Sequence, residues 1–316
     1  MEQAIRCEGL SKAFGRTKAL QGLELAVPAG AVFGFLGPNG AGKTTTMRLL
    51  AGLARPSAGR AWICGQEVRA GSREIARLVG YLPEEPAFYG WMSPCEFLDY
   101  VARLFGFGPA ERQRRVEMVL ETVGLQDVAG RRISGLSRGM RQRLGLAQAL
   151  VHGPRVLLLD EPASALDPIG RREILEFIRA LAPECTVFFS THILADVERI
   201  CDQVAVIANG RLVVQARTEE LLRRYALPVF EVEVEPGQGV ALQRWLQELG
   251  AAGWLLGVSH AADGNSARIL CREVSEARQA LIAGLAQASL PITRLELVRP
   301  SLEEVFVRLV QGEVDK

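Results

Sequence analysis

Ala31-Val-Phe-Gly-Phe-Leu36 runs directly into Gly37-Pro-Asn-Gly-Ala-Gly-Lys43-Thr44, and then into Thr45-Thr-Met-Arg-Leu-Leu50. A short apolar run bounded by a glycine-rich turn reads as a buried strand, and the segment from Lys43 onward reads as a helix. The turn fits G-x-x-x-x-G-K-[ST] in full, with a strand before it and a helix after it, which is the context this phosphate-binding loop requires. Its glycines let backbone N–H groups wrap phosphate oxygens. Lys43 is placed to reach the β- and γ-phosphates of a nucleoside triphosphate, and Thr44 to put its hydroxyl on Mg²⁺. Gly37, Pro38, Asn39, Gly40, Ala41, Gly42, Lys43, Thr44 and Thr45 are the expected phosphate-binding residues. The competing reading, a glycine-rich turn with a surface lysine, explains neither the strand nor the helix.

Further apolar strands follow at Val156–Leu159 and Val187–Phe189, separated by helical stretches. That alternation predicts a mostly parallel sheet with helices on its faces. Ser93–Val151 reads as a mainly helical insert; Glu111–Val123, with Val116, Val119, Leu120 and Val123 apolar, is one of its helices. The strand Val156-Leu-Leu-Leu ends in Asp160-Glu161. Two carboxylates at the end of a buried strand are costly without a cation or a partner. Beside a phosphate-binding loop, Asp160 fits the Mg²⁺-holding role and Glu161 the base that polarises the attacking water. The alternative is a capping acid followed by a solvated one.

The 316 residues predict two domains. A hydrophobic share of 48%, a charged share of 23% and a net charge of +1 describe a globular chain with no basic excess to hold nucleic acid. The six cysteines form no C-x-x-C pair and read as reduced thiols, and three histidines are few for a zinc site. The opening MEQAIRCEGLSKAF lacks the apolar core of a signal peptide, and no apolar run reaches the roughly 18 residues of a membrane span.

Composition shifts after Tyr225-Ala-Leu-Pro228. Phe230, Val232 and Val234 alternate with Glu231, Glu233 and Glu235, as in a half-buried strand. A helix at Val240–Leu249 and a strand at Trp254–Ser259 follow, with a turn at Ala262-Asp-Gly-Asn265. A strand at Ala267–Arg272, a helix at Ser275–Ala288 and a strand at Ile292–Val298 complete βαββαβ, the ferredoxin-like order. A last helix is expected from Ser301, with Glu304 closing a capping box. His260 and Cys271 are too few to hold a metal.

Leu136-Ser-Arg-Gly-Met140 opens a helix whose apolar stripe is Met140, Leu144, Ala147, Leu150 and Val151. A helix N-terminus crowded with Ser, Gly and Arg suits an anion. Taken with Gly37–Thr44 and Asp160-Glu161, this stretch resembles the signature motif of ATP-binding cassette (ABC) transporter ATPases, and the resemblance covers residues 1 to about 217. It implies ATP and Mg²⁺ as cofactors, with Ser137 and Gly139 gripping the γ-phosphate of an ATP held by a second copy of the subunit. By the same resemblance Phe14 stacks on adenine (a core Phe is the alternative), Ala163-Ser-Ala-Leu-Asp167 is the loop that crosses the dimer interface, and His192 is the switch that contacts the γ-phosphate. Glu161, His192 and Lys43 are the expected catalytic residues. Thr44, Asp160 and Glu84 are the expected metal ligands.

Two departures qualify the resemblance. Arg138 stands where the family has Gly, and such a basic substitution resembles exporters whose membrane part is a separate subunit. In Tyr81-Leu-Pro-Glu84, Glu84 occupies a position normally held by Gln, which leaves its metal contact open. Phe88, Tyr89, Trp91 and Met92 crowd just beyond it. They either receive the coupling helix of a membrane subunit or fill the joint between core and insert.

The expected fold is α/β: a P-loop ATPase core at 1–217 with an antiparallel β subdomain and a helical insert at about 85–150, a linker at 218–228, and an α+β ferredoxin-like accessory domain at 229–316. The resemblance implies an ATPase subunit that pairs with a second copy, drives a separate transmembrane permease, exports, binds no nucleic acid and sits at the cytoplasmic face of the cell membrane. A soluble non-transport ABC protein and an importer ATPase are the alternatives. Ribosome-acting members usually carry two cassettes, and DNA-repair members a long coiled coil; neither feature occurs here.

Overall fold

Residues 3–28, together with residues 58–67, build a four-stranded antiparallel sheet separate from the central sheet. β1 (Gln3–Phe14) and β2 (Thr17–Pro28) pair along most of their length, and their inward residues Ile5, Leu10, Leu23 and Val27 are fully buried. The computed structural model describes residues 2–164, 166–225, 228–249, 253–261, 264–288, 290–298, 302 and 306. β3 (Val32–Leu36) is buried at every position and feeds α1 (Lys43–Leu50). β4 (Ala58–Ile63) and β5 (Gln66–Glu67) extend the first sheet in the order β2-β1-β4-β5. This is the expected antiparallel subdomain.

α2 (Arg73–Leu78) and β6 (Val79–Leu82) lead into the helical insert. α3 (Pro94–Leu104) begins with a complete capping box between Ser93 and Glu96, and Pro94 adds a pre-set φ. α4 (Pro109–Thr122) buries Val116, Val119 and Leu120, the stripe expected from spacing. α5 (Arg138–Leu150) follows and turns Leu144 and Ala147 inward. β7 (Val156–Asp160), α6 (Pro168–Leu181), β8 (Thr186–Thr191), α7 (Leu194–Ile200), β9 (Gln203–Ala208) and β10 (Arg211–Arg217) complete the core.

The central sheet has the order β10-β9-β3-β8-β7-β6 and is parallel except for β10. Every residue of β3, β7 and β8 is buried, so these strands read as continuous apolar runs rather than alternating ones. Phe33 and Phe35 pack on Phe188 at centroid distances of 5.5 and 5.2 Å. The strands β3, β7 and β8 lie side by side, so their carboxyl ends deliver Gly37, Asp160-Glu161 and His192 to one rim.

The chain divides into two units, Met1–Thr218 and Glu219–Lys316. Thr218–Tyr225, expected as part of a linker, form α8. Acids in its first turn, Glu219 and Glu220, suit a helix start that the composition shift at Pro228 hid. In the second unit β11 (Val229–Val234), α9 (Gly239–Glu248), β12 (Leu255–His260), β13 (Ser266–Cys271), α10 (Val274–Gln287) and β14 (Ile292–Val298) give the antiparallel order β12-β13-β11-β14. Phe230, Val232 and Val234 join Leu242, Trp245, Ile269 and Leu281 in one core, as a ferredoxin-like unit requires. The helix expected from Ser301, including Glu304, lies outside the described residues apart from Leu302 and Phe306, as do Ala165, Ala226, Leu227, Ala262 and Asp263.

Candidate functional site

The phosphate-binding loop has its shape because two of its glycines have no room for a side chain. A Cβ on Gly37 would stand 2.5 Å from the Ile207 carbonyl oxygen, and one on Gly42 2.6 Å from that of Ala19. Gly42 also has φ +109°, a left-handed conformation that L side chains rarely adopt. The loop curls around its own cation: Lys43 Nζ donates to the Gly37 carbonyl at 2.7 Å and to the Pro38 carbonyl at 3.4 Å. No side chain caps α1 and no acid lies in its first turn. Its N-terminal N–H groups and dipole are therefore left for an anionic ligand.

β7 brings the two acids opposite that loop. Ser190 Oγ donates to Asp160 Oδ1 at 2.5 Å, while Asp160 Oδ2 is buried without a hydrogen-bond partner. A carboxylate oxygen orphaned in this way is costly unless a cation meets it, so the donor set fits a hard divalent ion such as Mg²⁺. Glu161 has φ +50°, one of few non-glycine residues in the left-handed region; such strain is of order 1 kcal/mol or more and collects at functional sites. Its N–H is held by the Ser190 carbonyl at 3.1 Å and Ser190 Oγ at 3.2 Å. The twist swings the Glu161 carboxylate to 3.6 Å from Lys43 Nζ and puts both its oxygens 3.0 Å from His192 Nδ1. A carboxylate only accepts, so Nδ1 carries the proton there.

Lys43, Glu161 and His192 share one cavity of about 300 Å³ whose lining also includes Ala19, Asn39, Gly40, Gly42, Thr44, Thr45 and Glu84. Glu84 is exposed and faces the same space as Thr44. The arrangement gathers a lysine, a hydroxyl, carboxylates and an imidazole around a space for a polyphosphate and its cation.

Eight expected residues do not line that cavity: Gly37, Pro38, Ala41 and Asp160 belong to the loop and strand that border it, and Phe14, Ser137, Gly139 and Asp167 sit on other elements. Phe14, at the tip of the β1–β2 hairpin, is 57% exposed, which excludes the core reading; Lys12 Nζ lies 5.0 Å from its ring centroid. Ser137 caps α5, its Oγ accepting from the Met140 N–H at 3.2 Å, with Arg138 exposed beside it. Gly139 lies in the first turn of α5. Asp167 caps α6, its Oδ1 accepting from the Gly170 N–H at 2.7 Å. Ser137 and Asp167 face solvent, each at a helix start.

Three contributors were not expected. Ser190 clamps both acids, Ala19 walls the cavity from the neighbouring hairpin, and buried Gln142 ties α5 to the active loop by donating to the Pro162 carbonyl at 3.0 Å. Ser190 stands two residues before His192 in sequence, but no spacing marks its bond to Asp160. Beyond Glu84, Phe88 packs edge-on against Phe97 at 5.2 Å, whereas Tyr89, Tyr100 and Trp91 are 51%, 41% and 72% exposed. Phe88 is half-buried against α3 and Met92 is half-buried, whereas Tyr89, Trp91 and Tyr100 form an exposed aromatic patch.

Comparison with known proteins agrees with this geometry. The family model "ABC transporter" matches residues 20–164, and "ATP-binding protein DrrA1-3-like, C-terminal domain" matches 217–310. The chain is 38% identical over 98% of its length to the uncharacterized ABC transporter ATP-binding protein YxlF of Bacillus subtilis, covering 100% of that protein. It is 34% identical to the daunorubicin/doxorubicin resistance ATP-binding protein DrrA of Streptomyces peucetius, over 99% of this chain and 94% of the relative. The bacitracin transport ATP-binding protein BcrA of Bacillus licheniformis is 39% identical over 71% of this chain and 73% of its own. Among solved structures, an ATP-binding subunit of an ABC transporter superposes with a TM-score of 0.64 at 29% identity, over 70% of this chain and 93% of that one.

Proposed function

The chain belongs to the ATP-binding subunits of ABC transporters, which hydrolyse ATP, and from that premise we propose how its residues divide the work. Two copies close head to tail over two ATP molecules. Each phosphate chain lies along Gly37–Thr45, with Lys43 on the β- and γ-phosphates. Exposed Ser137, the cap of α5, and half-buried Gly139 in its acid-free first turn meet the γ-phosphate held by the other copy. Phe14 offers its ring to adenine, and Asp167 stands where the two copies touch.

Thr44, Asp160 and Glu84 would hold Mg²⁺, whose charge offsets that developing on the transferring phosphoryl oxygens. Glu161 accepts a proton from the attacking water, a role its negative charge and burial suit. His192 holds the Glu161 carboxylate through Nδ1 and keeps Nε2 for the γ-phosphate. Reopening after hydrolysis would move a separate membrane subunit in the direction of export, at the cytoplasmic face of the membrane; the resistance protein among the relatives favours that direction. No described helix is long and apolar enough to cross a membrane.

One observation carries the coupling to a membrane partner: Tyr89, Trp91 and Tyr100 are exposed on the insert, the first two within seven residues of Glu84 in the nucleotide cavity. Clustered exposed aromatics mark docking surfaces. The chain should be tagged in its native cell, membranes solubilised in mild detergent, and retained proteins identified. A stoichiometric polytopic protein, lost on Trp91→Ala, supports the reading. Recovery only with ribosomes or nucleic acid overturns it.

A further inference from the structure

The helix behind the switch histidine and the helix behind Asp167 are joined by a part-buried ion pair, its arginine 29% exposed. Asp196 lies in α7, one turn beyond His192, and is 4% exposed. Arg171 lies in the first turn of α6. Its Nε donates to Asp196 Oδ1 at 2.8 Å, and its Nη2 reaches the same oxygen at 2.6 Å. Charge-assisted bonds of this kind are short and geometrically strict. Burial pushes the Asp196 carboxyl up, Arg171 pulls it back, and Glu161 and His192 are near enough to bias it in opposite senses.

Each end of the pair is tied to a functional loop. The Arg171 N–H donates to the Asp167 carbonyl at 2.8 Å, and Asp167 in turn caps the same helix turn. The Asp196 N–H donates to the Ile193 carbonyl at 3.2 Å, and the Ile193 N–H donates to Thr191 Oγ1 at 3.0 Å. Those two residues bracket His192, which grips Glu161. Short contacts thus run from the exposed Asp167 turn, where Ile169 is 72% exposed, to the buried base. Beneath that turn lies a cavity of about 370 Å³ whose lining includes Leu166, Pro168, Leu175, Ala195 and the ion pair itself. The space lets the first turn of α6 shift against α7 without expelling packed side chains, while the pair carries the shift across.

We propose that Arg171 and Asp196 are positioning residues that transmit the arrival of a second copy at the Asp167 turn to the His192–Glu161 contact, so that hydrolysis awaits pairing. The inference rests on the reading that two copies close over ATP. The alternative is an ion pair that only staples two helices.

The test compares the full chain with Arg171→Gln, Arg171→Lys and Asp196→Asn. ATP affinity, ATP-dependent dimer formation in a Glu161→Gln background, and turnover at saturating ATP are measured. We expect affinity and dimer formation to be retained in Arg171→Gln while turnover falls about tenfold, a common size for a coupling between sites. Its dependence on protein concentration should flatten, and Arg171→Lys should restore most of the loss. Asp196→Asn should give the same split and serves if Arg171→Gln does not fold. Full turnover in Arg171→Gln and Asp196→Asn, or parallel losses of affinity, dimer and turnover, overturn the proposal. An unaltered chain that does not hydrolyse ATP, or does so without pairing, overturns the underlying reading instead.

Discussion

Lys43 Nζ and Glu161 Oε1 stand 3.6 Å apart with side chains only 7% and 6% exposed, so the lysine expected on the phosphates and the expected base form a buried charge pair. Lys43 does not depend on that pair for its place, because the Gly37 carbonyl holds it at 2.7 Å. Glu161 is likewise held by His192. On the proposed function, phosphate bound at Lys43 would compete with Glu161 for the same cation.

Glu161→Gln keeps the shape and removes the basic oxygen. Nucleotide affinity should persist or rise, since one negative charge beside the phosphates is gone. Hydrolysis should fall on the order of a hundredfold or more, the usual worth of a positioned general base. Single-turnover hydrolysis beside equilibrium ATP titration checks this. Wild-type turnover in the variant would remove Glu161 from the chemistry.

Lys43→Met acts on both stability and binding. It leaves a buried carboxylate with only His192 beside it, and breaking a buried pair from one side costs up to about 3 kcal/mol. The double variant Lys43→Met with Glu161→Gln should recover most of that stability, because the stranded charge is gone, yet should not recover ATP binding. Denaturant unfolding of the single and double variants forms the cycle. Additive losses would show that the pair does not couple.

Phe14→Ala should leave the unfolding midpoint nearly unchanged, because the ring is 57% exposed. If the ring stacks on adenine, affinity for ATP should fall about tenfold, as loss of one base–aromatic stack of roughly 1–2 kcal/mol implies. Calorimetric titration with ATP and with inorganic triphosphate separates the two parts of the ligand. Triphosphate should bind both forms equally, and an equal loss for both ligands would assign Phe14 to hairpin structure instead.

What was legible in the sequence follows from where the constraint lies. The phosphate-binding loop is marked by its own spacing, Asp160-Glu161 by two acids ending an apolar strand beside that loop, and His192 by the family resemblance rather than by any local constraint. Strands β3, β7 and β8 are buried throughout, which makes them apolar runs that are easy to find. Ser190, Gln142 and the Arg171–Asp196 pair act through partners about 20 to 30 positions away, and no local pattern encodes a tertiary bond. The helix at Thr218–Tyr225 escaped because the composition shift near Pro228 resembled a linker. Glu84 could be placed in the site, but whether its charge faces metal or water depends on a ligand, not on spacing.

His152 makes stability depend on pH away from the nucleotide. Its ring stacks on Phe105 at 4.1 Å with 1° between planes, and its Nε2 lies 3.1 Å from the Val79 carbonyl, which can only accept. Nε2 therefore carries the proton, and Nδ1 is buried without a partner. Burial pushes the pKa from 6.5 down to about 4, opposed by the Val79 carbonyl and aided by Arg115. The unfolded chain thus takes up a proton near pH 6.5 while the folded chain does not. Between about pH 6.5 and pH 4 the unfolded state binds more protons, so stability falls as pH falls, by roughly 3 kcal/mol across the window. Glu74, Glu96, Glu176 and Glu273 are held below their ordinary 4.5, so their contributions are lost only at lower pH. Asp196, raised by burial, acts in the opposite sense as pH falls, so the difference between the unaltered chain and a His152 variant, rather than the interval alone, isolates the histidine. His152→Gln keeps a donor for the Val79 carbonyl and cannot take the proton. Denaturant unfolding of the nucleotide-binding unit should weaken from pH 6.5 to 5 in the unaltered chain and stay nearly level in the variant. Equal slopes in both would show that His152 does not govern this pH dependence.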